Sequence, residues 1–324
     1  MGRLQISVKH ERFRLNEVFT IARGSREFAD VVTVKITSDA CEGYGECVPY
    51  SRYGESIESV IHQVRGLDYE FGRDELQDLL PAGAARNAVD CALWDLEAKK
   101  AGKRFWDLAG LPEPVPQLTA FTISLASPDQ MRASAQKHSA KPLLKIKLGT
   151  PDDMPRLEAV REGAPDADII VDANEGWSAD AYQELAPHLI RLGVTMVEQP
   201  LPAGDDDLLR EIERPLPVCA DESCHDTSSL PYLAGKYDMI NIKLDKTGGL
   251  TEALKLKKEG LKQGYKIMVG CMVGSSLAMA PATLLAQGAE IVDLDGPLLL
   301  AEDRDNPLQF DNQNVYPPTR DLWG

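Results

Sequence analysis

The sequence is poor in the features of secreted, membrane-bound or nucleic-acid-binding proteins. Its six cysteines, at 41, 47, 91, 219, 224 and 271, form no C-x-x-C pair, which argues against a structural zinc site. They read as reduced thiols of a cytoplasmic protein. The opening MGRLQISVKHER lacks the apolar core of a signal peptide, and Ile6 stands where an acylation motif needs Ser or Thr. No run of about 18 apolar residues occurs, so no membrane-spanning helix is expected. Basic charge is scarce, with 35 Lys and Arg against 51 Asp and Glu, a net −16. That balance excludes nucleic acid and anionic membrane as partners. No G-x-G-x-x-G follows the first strand of the repeat described next, which counts against a dinucleotide-binding open sheet. K-T-G-G-L at 246–250 lacks the residue order of a P-loop and reads as a strand-to-helix turn.

What is present is a core and a rhythm. Apolar residues make up 43% of 324, enough for one large domain and a smaller one. Apolar and polar positions alternate in LQISVKH and ADVVTVKITS, so residues 1–50 read as a small antiparallel sheet. Residues 55–102 read as helices. The clearest is ARNAVDCALWDLEAKKAG, with apolar residues at 88, 89, 92, 93 and 96 and a stop at Gly102. Pro112, Pro114 and Pro116 mark a boundary. Strand-like segments then recur near 117–123, 143–148, 168–172, 194–198, 216–221, 238–243, 266–270 and 289–293. Their ends are spaced by 22–26 residues, with helical patterns between, as a closed (β/α)8-type barrel requires.

Three neighbouring strands, the third to fifth, end on Asp172, Glu198 and Asp221. In such barrels catalytic groups gather at the carboxyl ends of strands. Three carboxylates there repel one another unless a cation sits among them, and all-oxygen ligation selects Mg²⁺ or Mn²⁺. Lys145 and Lys147 share one face of the second strand, and Lys243 ends the sixth, on the opposite side of the barrel. A substrate carboxylate on the metal would meet a lysine on each face. Desolvation and neighbouring cations would lower the lysine pKa enough for base catalysis. Removal of an α-proton on one face and its return on the other is racemisation or epimerisation. Asp293 and Asp295, in D-L-D at the last strand, suit a cationic group. Arg23 and Arg26 lie in a loop of the small domain that can close over the barrel mouth and meet a carboxylate. Tyr50, Arg52 and Tyr53 read as solvated loop residues, Met268, Met272 and Met279 as core, and the Cys224-His225 pair as incidental.

K-x-K at 145–147, D-A-N at 172–174, E-Q-P at 198–200, A-D-E-S at 220–223 and N-I-K-L-D-K-T-G-G at 241–249 together resemble the enolase superfamily, muconate-cycloisomerase subgroup. TIARGSRE, GECVPYSRYGES, LPAGAARNAVDCALWDLEAK and DLDGP are similar to its L-Ala-D/L-Glu epimerases, so the resemblance spans the chain. It implies a modified TIM-type (β/α)7β barrel with an N-terminal α+β capping domain. The expected division is 1–112 for the cap, 113–300 for the barrel and 301–324 for a segment returning to the cap. It also implies metal ligation by Asp172, Glu198 and Asp221, with Glu222 outside the ligand set. Acid–base roles fall to Lys147 and Lys243, a supporting role to Lys145, and binding of the dipeptide's amino end to Asp293 and Asp295. One of Arg23 and Arg26 takes the glutamyl carboxylate. The implied reaction is Mg²⁺-dependent epimerisation of L-Ala-D-Glu through an enediolate, in recycling of cell-wall peptides. The implied partner is a small dipeptide, and a homo-oligomer is compatible with the sequence. Alternatives are N-acylamino-acid racemisation, o-succinylbenzoate synthesis, cycloisomerisation, or a non-catalytic metabolite-binding barrel.

Overall fold

The computed structural model describes residues 3–150 and 153–324. The first two residues of the N-terminal reading lie outside the described residues. The alternating segments form three antiparallel strands, β1 (Gln5–Ile21), β2 (Gly24–Ser38) and β3 (Cys41–Cys47), in that order. Helices α1 (Ile57–Arg65), α2 (Arg73–Leu79) and α3 (Ala84–Ala101) follow, as expected. Helix α3 is buried on nearly every side, so its weak periodicity reflects two packing faces rather than one. One face lies directly on β3. A Cβ at Gly43 or Gly45 would sit 2.1 Å from the carbonyl oxygen of Ala92 or Ala88, so only glycine permits the approach. Another face meets the barrel. Arg86 donates to the Thr247 and Gly248 carbonyls, and Trp94 Nε1 donates to Thr251 Oγ1.

A short helix, α4 (Phe105–Ala109), leads to β4 (Gln117–Leu118), which pairs with β13 (Asn314–Val315) apart from the barrel. Eight parallel strands then follow in chain order: β5 (Phe121–Ile123), β6 (Leu143–Lys147), β7 (Asp168–Asp172), β8 (Val194–Glu198), β9 (Val218–Ala220), β10 (Met239–Ile242), β11 (Lys266–Gly270) and β12 (Ile291–Asp293). The expected first strand is thus divided into β4 and β5. The ends of the sheet meet where Ala120 N donates to Val292 O at 2.8 Å and Leu294 N to Thr119 Oγ1 at 2.9 Å.

Helices α5 (Pro128–Lys137), α6 (Asp153–Gly163), α7 (Ala179–Arg191), α8 (Leu230–Leu233), α9 (Leu244–Thr247), α10 (Leu250–Lys262) and α11 (Ser276–Leu285) connect the strands. The outer layer is thinner than the regular spacing implied. After β8 there is only a 3-10 turn, Asp207–Arg210, and after β9 the helix α8 is a single turn. Pro200, Pro202, Pro215 and Pro217 flank the first of these and withhold the amide donors a longer helix needs. After β12 comes a 3-10 turn, Gly296–Leu299, so the barrel is of the (β/α)7β type.

The barrel interior is tiered. Ala120, Leu143, Ile170, Met196, Cys219, Met239, Met268 and Ile291, one from each of the eight staves, form an apolar floor. Side chains on a strand face repeat every two residues. Two positions further toward the carboxyl ends therefore lie Lys145, Asp172, Glu198, Asp221, Asn241, Gly270 and Asp293. The apolar tier excludes water below; the polar tier opens at the mouth. The chain end packs back on the small domain: Arg304 Nη2 meets Glu46 Oε2 at 2.6 Å, and Trp323 Nε1 donates to Cys91 O at 3.1 Å.

Asp245, on α9, also joins the two parts. Its Oδ1 accepts Val48 N–H at 3.0 Å and Asn87 Nδ2 at 2.9 Å. Burial pushes its carboxyl up to about 7. Its protonated form therefore adds stability at low pH, and this is lost as pH rises from about 4 through 7. Asp245→Asn keeps the acceptor and cannot ionise. It is expected to raise the melting temperature at pH 8, with the advantage vanishing by pH 4. A difference independent of pH in thermal melts would contradict this.

Candidate active site

The polar tier brings the three expected acids together. Asp172, Glu198 and Asp221 are buried, and one carboxylate oxygen of each lies within 4.8 Å of the others. The three expected lysines are interleaved with them. Lys145, 1% exposed, places Nζ 2.5 Å from Glu198 Oε2, 2.8 Å from Asp293 Oδ2 and 3.3 Å from Asp172 Oδ2. Lys147 Nζ lies 2.6 Å from Asp172 Oδ2, and Lys243 Nζ 2.6 Å from Asp221 Oδ2. Burial alone would raise every acid here. The lysines outweigh it at Asp172 and Asp221, whose carboxyls are held below the usual range. At Glu198, burial and the neighbouring Asp172 win, and its carboxyl is raised.

The same carboxylates correct the expectation that desolvation depresses the lysines. Burial opposes the charge of Lys145 and Lys243. Asp293 and Glu198 around the first, and Asp221 around the second, more than offset it, and both are held above the usual lysine range. Positive charge among the acids is what would release Lys243 from Asp221. Several buried oxygens at the mouth accept no aligned hydrogen bond: Glu198 Oε2 (despite Lys145 at 2.5 Å), Asp293 Oδ1, Glu222 Oε2 and Asn174 Oδ1. Buried acceptors without donors call for a ligand that supplies positive charge or hydrogen bonds. Asp172, Glu198 and Asp221 thus fit a hard cation.

The cavity above the triad has differentiated ends. Asp293 and Asp295 both line it, although β12 stops at Asp293 and Asp295 opens the following turn, so they do not share a strand face. Asp293 is partly neutralised by Lys145. Asp295 accepts Thr122 N–H at 2.6 Å, and burial with the adjacent Asp293 pushes its carboxyl up to about 7. In the small domain, Arg23 is engaged through both terminal nitrogens. It reaches Glu222 Oε1 at 2.6 Å, Asn174 O at 2.8 Å, Tyr50 OH at 3.1 Å and Glu175 Oε2 at 3.1 Å. Arg26 also lines the cavity, with its guanidinium 5.1 Å from the Tyr50 ring centroid. Among the described residues no carboxylate pairs with it.

Of the loop residues expected to be solvated, Arg52 is exposed, but Tyr50 is buried and Tyr53 half-buried. Tyr50 is 8% exposed, and Tyr53 lines the cavity with its ring 4.7 Å from that of His225. Arg52 grips both oxygens of Glu175 at 2.8 and 2.9 Å. Asn174 and Glu175 adopt positive φ values, 47° and 69°, and present Glu175 to this loop. A contact 123 positions away left no local signal in the sequence. Met272 lines the cavity rather than the core, whereas Met268 and Met279 are core. Glu222 lies beside the triad, bound to Arg23. Cys224 is buried, and burial pushes its thiol up to about 12, away from the thiolate form.

Two residues were missed. Asn241 Nδ2 donates to Glu198 Oε1 at 2.7 Å, and Lys246 Nζ lies 2.5 Å from Asp221 Oδ1. Asn241 could have been found, because it shares a strand face with Lys243. Lys246 lies on α9 beyond the strand, where the period of two no longer applies.

A barrel with acids and lysines interleaved at the carboxyl ends of its strands defines an enzyme of the acid–base barrel class. Residues 3–110 match the mandelate racemase / muconate lactonizing enzyme N-terminal domain, and residues 130–321 match the enolase C-terminal domain-like family. The chain belongs to this enolase-superfamily group and is an isomerase of racemase or epimerase type. It is 48% identical over 317 residues to the L-Ala-D/L-Glu epimerase of Escherichia coli K12, covering 96% of this chain and 99% of that one. It is 45% identical over 300 residues to the N-acetyl-D-glutamate racemase of a Pseudoalteromonas species, covering 91% and 95%. A crystal structure of an enolase family member from Agrobacterium tumefaciens, with bound sodium and L-Ala-L-Glu, superposes with a TM-score of 0.97 at 53% identity. The match covers 99% of this chain and 100% of that one. The dipeptide epimerase of Cytophaga hutchinsonii, complexed with Mg and D-Ala-L-Val, gives 0.92 at 26% identity, covering 98% and 94%.

The geometry makes Lys145 the central counter-charge. Lys145→Met leaves Glu198 and Asp293 without a counter-charge and Asp172 with Lys147 alone, and a broken buried pair costs about 3–5 kcal/mol. Chemical denaturation without added metal is expected to show that loss, and a smaller one for Lys147→Met. Equal losses would contradict this placement.

Proposed function

We propose that this chain is a Mg²⁺-dependent dipeptide epimerase interconverting L-Ala-D-Glu and L-Ala-L-Glu, in cytoplasmic recycling of cell-wall peptides. The observation that carries the reading is the pair Lys147 and Lys243. They come from the second and sixth of eight strands and line one cavity beside the Asp172–Glu198–Asp221 triad. Residues 1–112 act as the cap, 113–300 as the catalytic barrel, and 301–324 as the strap between them. The names of the relatives support the substrate class.

Asp172, Glu198 and Asp221 hold the cation, which supplies Lewis-acid stabilisation of the substrate carboxylate as its α-carbon becomes acidic. Lys145 adds a fixed ammonium to that carboxylate's surroundings. One of Lys147 and Lys243 takes the glutamyl α-proton onto Nζ, and the other delivers a proton to the opposite face. Asp293 and Asp295 bind the dipeptide's ammonium. Arg26, free of carboxylate partners, takes the glutamyl side-chain carboxylate, while Arg23 holds the loop closed through Glu222 and Glu175. A second reading, racemisation of N-acetylglutamate, is favoured by the relative at 45% identity. It keeps the role of Arg26 but offers no ammonium to Asp293 and Asp295.

Proton NMR of L-Ala-D-Glu with enzyme and Mg²⁺ in D₂O tests the reading. Loss of the glutamyl α-proton signal with appearance of the L,L diastereomer is expected. Exchange of N-acetylglutamate alone would select the second reading. Arg26→Ala is expected to weaken kcat/KM for L-Ala-D-Glu at least tenfold more than for a dipeptide without a side-chain carboxylate. Equal losses, or a larger selective loss in Arg23→Ala, would move the role away from Arg26.

A further inference from the structure

Each acid of the triad has one oxygen already held by a donor other than Lys145, Lys147 and Lys243. Asp172 Oδ1 accepts the Asn174 N–H at 2.9 Å. Glu198 Oε1 accepts Asn241 Nδ2 at 2.7 Å, and Asp221 Oδ1 accepts Lys246 Nζ at 2.5 Å. The other oxygens, Asp172 Oδ2, Glu198 Oε2 and Asp221 Oδ2, are those that face Lys145, Lys147 and Lys243. Lys246 is the strongest of the outer tethers. It is 1% exposed, and its three N–H groups have three acceptors: Asp221 Oδ1 and Asp221 O, both at 2.5 Å, and Asn241 O at 3.0 Å. An ammonium has three donors, so none remains for a substrate. Lys243, three residues earlier, lines the cavity and keeps donors free. Asn241 has room beside Glu198 because Gly270 lacks a side chain; a Cβ there would lie 2.7 Å from Asn241 Oδ1.

We propose that Lys246 and Asn241 are positioning residues that restrict Asp221 and Glu198 to ligation through one oxygen each, and thereby favour Mg²⁺ over Ca²⁺. This rests on the reading of Asp172, Glu198 and Asp221 as metal ligands. Mg²⁺ takes six ligands in near-ideal octahedral geometry, whereas Ca²⁺ accepts about 6–8 oxygens and readily uses both oxygens of a carboxylate. Two-oxygen ligation by Asp221 would bring the cation onto the oxygen already held by the Lys246 ammonium, so two positive charges would compete for it in a buried site. At Glu198 it would draw charge from the oxygen that the Asn241 amide donates to and weaken that bond. The site therefore presents three oxygens from three strands and no flexible second set.

The test uses the full chain without substrate. Mg²⁺ and Ca²⁺ are each titrated calorimetrically into the wild type, Lys246→Met and Asn241→Leu. Loss of the Lys246 charge strengthens binding of both cations, so the readout is the ratio of Mg²⁺ to Ca²⁺ affinity. That ratio is expected to fall at least tenfold in Lys246→Met and several-fold in Asn241→Leu, where charge is unchanged. Wild-type ratios in folded variants that bind Mg²⁺ would overturn the proposal. Infrared difference spectra of the wild type on Mg²⁺ addition need no variant. A wide separation of the two carboxylate stretches, the mark of one-oxygen ligation, is expected; a narrow one would overturn it. Failure of the wild type to bind Mg²⁺, or binding unchanged in Asp172→Asn, would overturn the ligand reading as well.

Discussion

One buried ammonium organises the barrel mouth. Lys145 from β6 lies within 3.3 Å of carboxylates from β7, β8 and β12. Three carboxylates above an apolar floor would otherwise repel one another or take up protons. With Lys145 between them they stay close, and on opposite sides of the mouth Lys147 pairs with Asp172 and Lys243 with Asp221. The acids therefore set the two cavity lysines in place, and the closed sheet sets the acids.

The small domain is part of this arrangement. Helix α3 holds the turn that follows β10 through Arg86, Asn87 and Asp90, which meet Thr247, Asp245 and Thr251. That turn carries both Lys243 and Lys246. The position of Lys243 thus depends on a helix from outside the barrel. The loops bearing Arg23 and Arg52 meet the barrel at Glu175. Glu175 follows β7, the strand that also supplies Asp172, so cap closure and the triad are linked through a few residues.

Much of the fold and of the candidate site was legible because barrel strands impose two periods. Units of 22–26 residues placed the strands, and alternation within each strand placed Lys145 with Lys147 and put the acids at the carboxyl ends. What escaped was what those periods do not carry. Lys246 sits on a helical turn past its strand. The docking of Tyr50 and Arg52 depends on Glu175, distant in sequence. The missing helix after β8 and the shortened one after β9 were hidden because strand spacing counts residues, whatever their conformation. The raised Lys145 and Lys243 had a simpler cause: the sequence showed the acids and the lysines, but not that these two would lie within hydrogen-bonding distance of an acid.

The central claim is that Lys147 and Lys243 serve opposite faces of one α-carbon. The most direct measurement is deuterium incorporation from D₂O into each diastereomer, L-Ala-D-Glu and L-Ala-L-Glu, by Lys147→Ala and by Lys243→Ala, followed by NMR. The account predicts that neither variant epimerises and that each still exchanges the α-proton of one diastereomer, a different one in each case. Epimerisation by either variant, or exchange of both diastereomers by the same variant, would contradict it.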